Sequence, residues 1–230
     1  MENAIKKYGF LESDEAESLF ADLDFALKSG QHIQNFPHQT ELFNFIEKYE
    51  DEIRLFYRNL FRVNLAGKGS DYTRYFYLEL DDESRGIVKT RAKKLSPEYT
   101  LLGILLLKIH RIDKYFINDI YVPDLIQLIK SNEEYKNYIY NLFAKRREKE
   151  ATDIDENTID EWVRNALKEF ERLGWIHYDP RNKELFEIMP SVERMYSYEI
   201  HNIDRLIVET NSIEERTGGL YPVEEGEASE

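Results

Sequence analysis

Apolar residues recur every three or four positions through most of the chain and give way to short strand-like runs at two places. From Asp14 to Lys28, Ala16, Leu19, Phe20, Leu23 and Leu27 line one helix face, and Gly30 supplies the stop. Beyond Pro37, Thr40 is placed to cap a second helix, ELFNFIEKYEDEIRLFYRNLF. There Leu42, Phe43, Ile46, Tyr49, Ile53, Phe56, Tyr57 and Leu60 make an unusually wide apolar face. The period then changes. In RVNLAGKGSDYTRYFYLEL, Val63 and Leu65 precede the turn Gly67-Lys68-Gly69-Ser70 and the aromatic run Tyr75-Phe76-Tyr77-Leu78 follows it, which predicts a hairpin.

The charge-dense stretch DDESRGIVKTRAKKL reads as a connection. Ser96-Pro97-Glu98 opens the next helix with a capping hydroxyl, an early proline and an acid at the positive end of the dipole. Leu101, Leu102, Ile104, Leu105, Leu106, Leu107 and Ile109 leave that helix almost no polar face, so it belongs at the centre of a second core. A short helix follows Tyr121-Val122-Pro123, and capping boxes at Ser131/Glu134 and Thr158/Glu161 introduce two more. On the last of these, Ile159, Trp162, Val163, Ala166, Leu167, Phe170 and Leu173 form a continuous stripe. Gly174 ends it, and Trp175-Ile176-His177-Tyr178 and Leu185-Phe186-Glu187-Ile188 flank Asp179-Pro180-Arg181-Asn182 as a second hairpin. Val192, Met195, Tyr196, Ile200, Ile203 and Ile207 suggest a final helix.

Helices followed by a two-stranded wing thus occur twice. The expected class is mainly α (α+β): two tandem winged-helix domains with short β-hairpin wings and a C-terminal helix. The expected boundaries are 1–88 for the first, 89–95 for a linker, 96–208 for the second with its final helix, and 209–230 for an acidic disordered tail.

Composition constrains what such a chain can do. Its 230 residues, 42% hydrophobic and 13% aromatic, can fill two small cores. The absence of Cys excludes disulfides and thiolate chemistry and suits a reducing cytoplasm. Neither a secretory signal nor a membrane-length apolar run is present in the sequence. A net charge of −14 opposes tight independent binding to a phosphate backbone, although a local basic patch can still act.

Candidate chemistry is sparse. Gly67-Lys68-Gly69-Ser70 lacks the upstream glycine and following helix of a phosphate loop. Asp124 with Glu134 and Lys136 mimics a nuclease pattern, but both elements read as helices, where the carboxylates would not converge on a divalent ion. His32, His38, His110, His177 and His201 have no metal-ligand spacing. No cofactor and no enzymatic activity are expected. The outward face of the second recognition-like helix, Asp160, Glu161, Arg164, Asn165, Lys168, Glu169 and Arg172, mixes acids with bases. Two basic runs lie elsewhere: Lys89, Arg91, Lys93 and Lys94, and Lys145, Arg146, Arg147 and Lys149, the second diluted by acids.

LFADLDFALKSGQHI, from Leu19 to Ile33, resembles the amino-terminal region of the MukE and MksE proteins, small subunits of bacterial condensins. The likeness continues in order through the Phe- and Tyr-rich helix, the aromatic strand, the leucine-rich helix and RNALKEFERLGWI, from Arg164 to Ile176. It implies a tandem winged-helix subunit of the kite type, a homodimer that holds a MukF- or MksF-like kleisin and, through it, a MukB- or MksB-like SMC protein. Such a subunit has no ATPase of its own and helps clamp DNA in the assembled complex, in chromosome organisation and segregation or in plasmid defence. The expected location is then cytoplasmic and nucleoid-associated. The resemblance reconciles winged helices with an acidic chain, since partners supply most of the positive potential. Expected DNA contacts are Lys89, Arg91, Lys93, Lys94, Arg164, Lys168 and Arg172, and expected partner contacts are Phe43, Tyr49, Phe56 and Tyr57 on the broad aromatic face. A free-standing winged-helix DNA-binding regulator or plasmid replication initiator is the alternative, and a metal-dependent nuclease a distant third.

Overall fold

The computed structural model describes residues 8–79, 95–117, 119–139 and 156–198. A short 3₁₀ turn, Gly9–Glu12, leads into α1, Asp14–Lys28. Ser13 caps α1 by accepting the Ala16 amide at 3.1 Å, three acids follow in the first turn, and Gly30 leaves the helix at φ +88°. Next come β1, Ile33–Gln34, α2, Thr40–Lys48, and α3, Glu50–Phe56, which runs into a π turn over Tyr57–Phe61. The hairpin is β2, Asn64–Lys68, and β3, Tyr75–Glu79.

The carboxy-terminal elements follow the same order with one added helix. They are α4, Pro97–Leu107, a π turn over Lys108–Ile112, β4, Ile120–Tyr121, α5, Val122–Ser131, a helix α6 over 133–139, α7, Glu156–Leu173, β5, Ile176–Asp179, β6, Asn182–Ile188, and a 3₁₀ segment, Pro190–Tyr198. Ser96 caps α4 through the Tyr99 amide at 3.2 Å. The chain is therefore mainly helical α+β, with two small antiparallel sheets of three strands, ordered β1-β3-β2 and β4-β6-β5. In each, a two-residue strand from between the helices pairs with the last strand of the hairpin: Ile33 opposite Phe76, and Ile120 opposite Phe186.

Each half has its own apolar centre. Phe10, Leu23, Leu27, Ile33, Ile46, Ile53, Tyr57 and Phe76 form the first, with edge-to-face ring pairs such as Phe20–Phe56 at 5.1 Å. Leu102, Leu106, Ile120, Leu125, Val163, Leu167, Phe170 and Phe186 form the second, with Trp162 and Trp175 beside them. The leucine-rich helix is buried there as its pattern predicts.

Several local expectations are corrected. The long second helix is two, broken at Tyr49, whose φ −119° and ψ 27° leave the helical region and re-aim α3. Thr40 is not its cap: Gln39 holds that position without a side-chain bond, and the Thr40 hydroxyl donates to the Phe36 carbonyl at 2.8 Å. The first hairpin turn lies later than expected. Gly67 and Lys68 are in β2, and the reversal runs from Gly69 through a 3₁₀ turn at Asp71–Thr73 closed by reciprocal Ser70 and Thr73 bonds. Asn132 rather than Ser131 caps α6, accepting the amides of Glu134 and Tyr135. Thr158 lies inside α7, and the described part of the final helix is 3₁₀. The basic runs at 89–94 and 145–149 and the acidic tail lie outside the described residues.

Candidate interaction surfaces

Polar side chains in β1 tie the two halves together. The Gln34 side chain donates to the Gly174 carbonyl at 2.6 Å and accepts the Ser191 amide at 3.0 Å, while the Ser191 hydroxyl donates to the same Gly174 carbonyl at 2.6 Å. The backbone amide of His32 donates to the Leu173 carbonyl at 2.9 Å, and Arg172 donates to the Ser29 carbonyl at 2.6 Å. Gly174, at φ +75°, makes this approach possible: a Cβ there would meet the His32 carbonyl oxygen at 2.8 Å. Buried polar groups require partners, and here the other half supplies them.

His32 sits within this seam. Its Nδ1 lies 2.9 Å from the Leu173 carbonyl and its Nε2 lies 3.2 Å from an Arg194 guanidinium nitrogen. Both contacts fit one neutral tautomer, with Nδ1–H donating to the carbonyl and Nε2 accepting from Arg194. Burial, reinforced by Arg194 and opposed by the Leu173 carbonyl, pulls its pKa down to about 3. Arg194 also stacks 4.1 Å over Tyr77. A second contact lies beside the first: His38 stacks on His177 at 4.7 Å, with Phe36 edge-on to His177 at 5.4 Å. Burial and then His177 lower the His38 pKa, against the pull of Glu171.

The basic face expected on α7 is largely committed to carboxylates. Arg164 forks onto Glu184 of β6 at 2.8 and 2.9 Å, and Arg172 onto Glu169 at 2.7 and 3.0 Å. Asp160 pairs with Lys130 at 2.6 Å. Lys168 is exposed and has no ion pair among the described residues. The other expected DNA contacts, Lys89, Arg91, Lys93 and Lys94, lie outside the described residues.

The aromatic face expected to meet a partner turns inward instead. Phe43, Phe56 and Tyr57 are buried in the amino-terminal core, and the Tyr57 hydroxyl donates to Asp24 at 3.0 Å. Burial, with the Asp24 carboxylate beside it, raises that phenol. Only Tyr49 keeps partial exposure, its hydroxyl on Glu15 at 3.0 Å. The wide apolar face is explained by the break at Tyr49: two helices and an amino-terminal 3₁₀ turn pack against it, a demand invisible when it is counted as one helix.

Sequence reasoning passed over the seam and a second surface. His32 and Gln34 carried a usable signal, buried polar residues on either side of Ile33, but a two-residue strand has no period to reveal it. Beside the open edge of β2, Arg58, Arg62 and Lys68 are exposed with no carboxylate partner among the described residues. The nuclease-like acids do not converge. Asp124 begins α5 and Glu134 accepts from Lys108 at 3.4 Å and Tyr138 at 3.2 Å. Among the described residues no group of three or more potential ligands could hold a metal ion, and no helix is long and apolar enough to cross a membrane.

Comparison with curated proteins gives no match. A family match, by contrast, covers residues 18–197, from the second turn of α1 to the 3₁₀ segment, and so takes in both halves and the seam between them. On the strength of that span, the chain belongs to the family described as condensin complex protein MksE.

Proposed function

We propose that each half is a winged helix and that the chain is the kite-type subunit that holds a kleisin, and through it an SMC protein, while DNA is clamped. Membership of the family makes it an accessory subunit of an SMC-like condensin, with a structural rather than catalytic part in the complex. The helix–strand–helix–helix–strand–strand order of the first half recurs in the second with one added helix, α6, and with equivalent strand pairing, which supports the winged-helix assignment. The division proposed is 1–88, 89–95 and 96–208, followed by a tail at 209–230.

The observation that carries the reading is the family match across both halves. A helix face with Arg164 and Arg172 already paired to glutamates suits a scaffold whose DNA contacts matter in an assembly, where partners add positive potential. The same mechanics serve chromosomal and plasmid DNA. Homodimerisation remains part of the proposal, with an interface other than Phe43, Phe56 and Tyr57, which are internal. Light scattering at micromolar concentration tests it, and a monomer mass removes the dimer.

The whole reading is tested by co-expressing the full chain with kleisin- and SMC-type proteins from the same genome. Co-elution through the kleisin is expected. Failure to associate, together with tight sequence-specific duplex binding by the chain alone, would replace it with the free-standing regulator.

A further inference from the structure

The cleft beside β2 has no part in the condensin reading. Strand order leaves β2 at the sheet edge, and a cleft of about 320 Å³ runs along it, lined by Arg54, Leu55 and Arg58 from α3 and its π turn and by Asn64, Leu65, Ala66 and Glu79 from the sheet, so that two guanidinium groups face one carboxylate. Leu55 and Leu60 are 40% and 57% exposed on an ordered helix and its π turn. Arg58, Arg62 and Lys68 are exposed and without carboxylate partners among the described residues, in a chain where acids outnumber bases 45 to 31. The edge itself is partly guarded, since Arg54 donates to the Leu65 carbonyl at 2.5 Å.

An occupant for this cleft needs apolar side chains next to carboxylates on an extended backbone. The chain contains one: Leu220-Tyr221-Pro222-Val223, followed by Glu224, Glu225 and Glu227. Pro222 fixes its own φ and biases Tyr221 to extended backbone. We infer that this carboxy-terminal segment docks in cis along the α3–β2 cleft, with its apolar residues on Leu55 and Leu60 and its glutamates toward Arg58, Arg62 and Lys68. The two exposed leucines, which a phosphate backbone would leave uncovered, favour a peptide.

The tether is long enough. Tyr198 follows closely on Arg194, which stacks on Tyr77, and Tyr77 is the register partner of Ala66 in the cleft wall. Strand spacing puts the cleft on the order of 10 Å across the sheet from Tyr77. Even if the expected final helix continues to 208, the roughly 22 residues to Leu220 can reach about 55 Å, ~15 Å of helical rise plus ~40 Å of extended chain. A tether of this reach gives an effective concentration of order millimolar, so a weak contact suffices. The segment then acts as an internal stopper that a partner using this face must displace.

The absence of Cys allows a clean test in the full chain. Ser229→Cys takes a single nitroxide, and its broadening of backbone amide signals is mapped on isotope-labelled protein. The strongest broadening is expected at Leu55, Arg58, Ala66 and Lys68, and its loss is expected both in Leu220→Ala/Val223→Ala and in Arg58→Glu/Arg62→Glu. The same spectra report whether each variant is folded. Broadening that is absent, uniform over the surface, or unchanged in both variants overturns the inference. Mixing isotope-labelled chain lacking nitroxide with unlabelled chain carrying it separates copies: broadening in that sample assigns the cleft to a second molecule's tail and overturns docking in cis. No partner protein is involved, so the result is independent of the condensin reading.

Discussion

Replacing Gln34 with Ala removes both side-chain bonds that Gln34 makes across the seam. The Ser191 amide, on a residue that is fully buried, loses its acceptor, and an orphaned buried donor costs about 1–3 kcal/mol. The Gly174 carbonyl loses one donor but keeps the Ser191 hydroxyl at 2.6 Å, so that loss is an ordinary hydrogen bond, ~1 kcal/mol. The backbone amide of Gln34, held by Gln39 at 3.0 Å, is untouched. Together these give a destabilisation of roughly 2–4 kcal/mol. Urea unfolding with two probes measures it. Both tryptophans, Trp162 and Trp175, lie in the carboxy-terminal core, so their fluorescence follows that half, whereas circular dichroism follows both. In the parent chain the two curves should coincide; in Gln34→Ala they should separate, because the bonds removed are those that make the halves unfold together. A loss below about 0.5 kcal/mol with curves still coincident would refute the account of the seam.

Three further outcomes are expected. His32 is neutral in the folded chain with a pKa of about 3 against 6.5 in the unfolded one, so between those values the unfolded chain binds the extra proton. Stability is complete above pH ~6.5 and falls as pH falls, by up to about 5 kcal/mol; urea midpoints against pH should show the slope, and His32→Gln should flatten it. Trp162→Ala should cost about 3–5 kcal/mol, because the indole is buried in the second core, and an unchanged melting temperature would contradict that placement. Duplex DNA titrated against the isolated chain should bind weakly, and Lys168→Ala should lower the logarithmic salt slope more than Arg164→Ala or Arg172→Ala, whose guanidinium groups already face glutamates; equal effects from all three would show that those pairs open on DNA.

Long periodic elements were legible in the sequence and two-residue elements were not. The bounds of α1 match its stripe from Ala16 to Leu27, and the second hairpin follows its turn residues, because Asp179 accepts the amides of Arg181 and Asn182. In contrast, β1 and β4 each show two residues, too few for alternation, yet they complete both sheets. The helix break at Tyr49 left the apolar pattern continuous, so the pattern reported a wide face and not the turn that folds it inward. Among the expected contacts, Arg164 and Arg172 were visible as cations, but their partners were not. Glu184 reaches Arg164 from a neighbouring strand, a pairing that depends on hairpin register rather than on helix spacing.

In the seam, main-chain carbonyls at Ser29, Leu173 and Gly174 accept from a few side chains: His32, Gln34, Arg172 and Ser191. A carbonyl has the same chemistry whatever residue carries it. A deep mutational scan should therefore separate these two classes of position in both halves. Ser29 should accept most replacements and Leu173 other apolar ones, whereas Gln34 should tolerate almost none and Gly174 none, since every replacement adds a Cβ. The joint between the two halves would then drift in sequence at the positions that lend only a carbonyl, while its geometry stays fixed by the few, in both halves, that lend a side chain or require glycine.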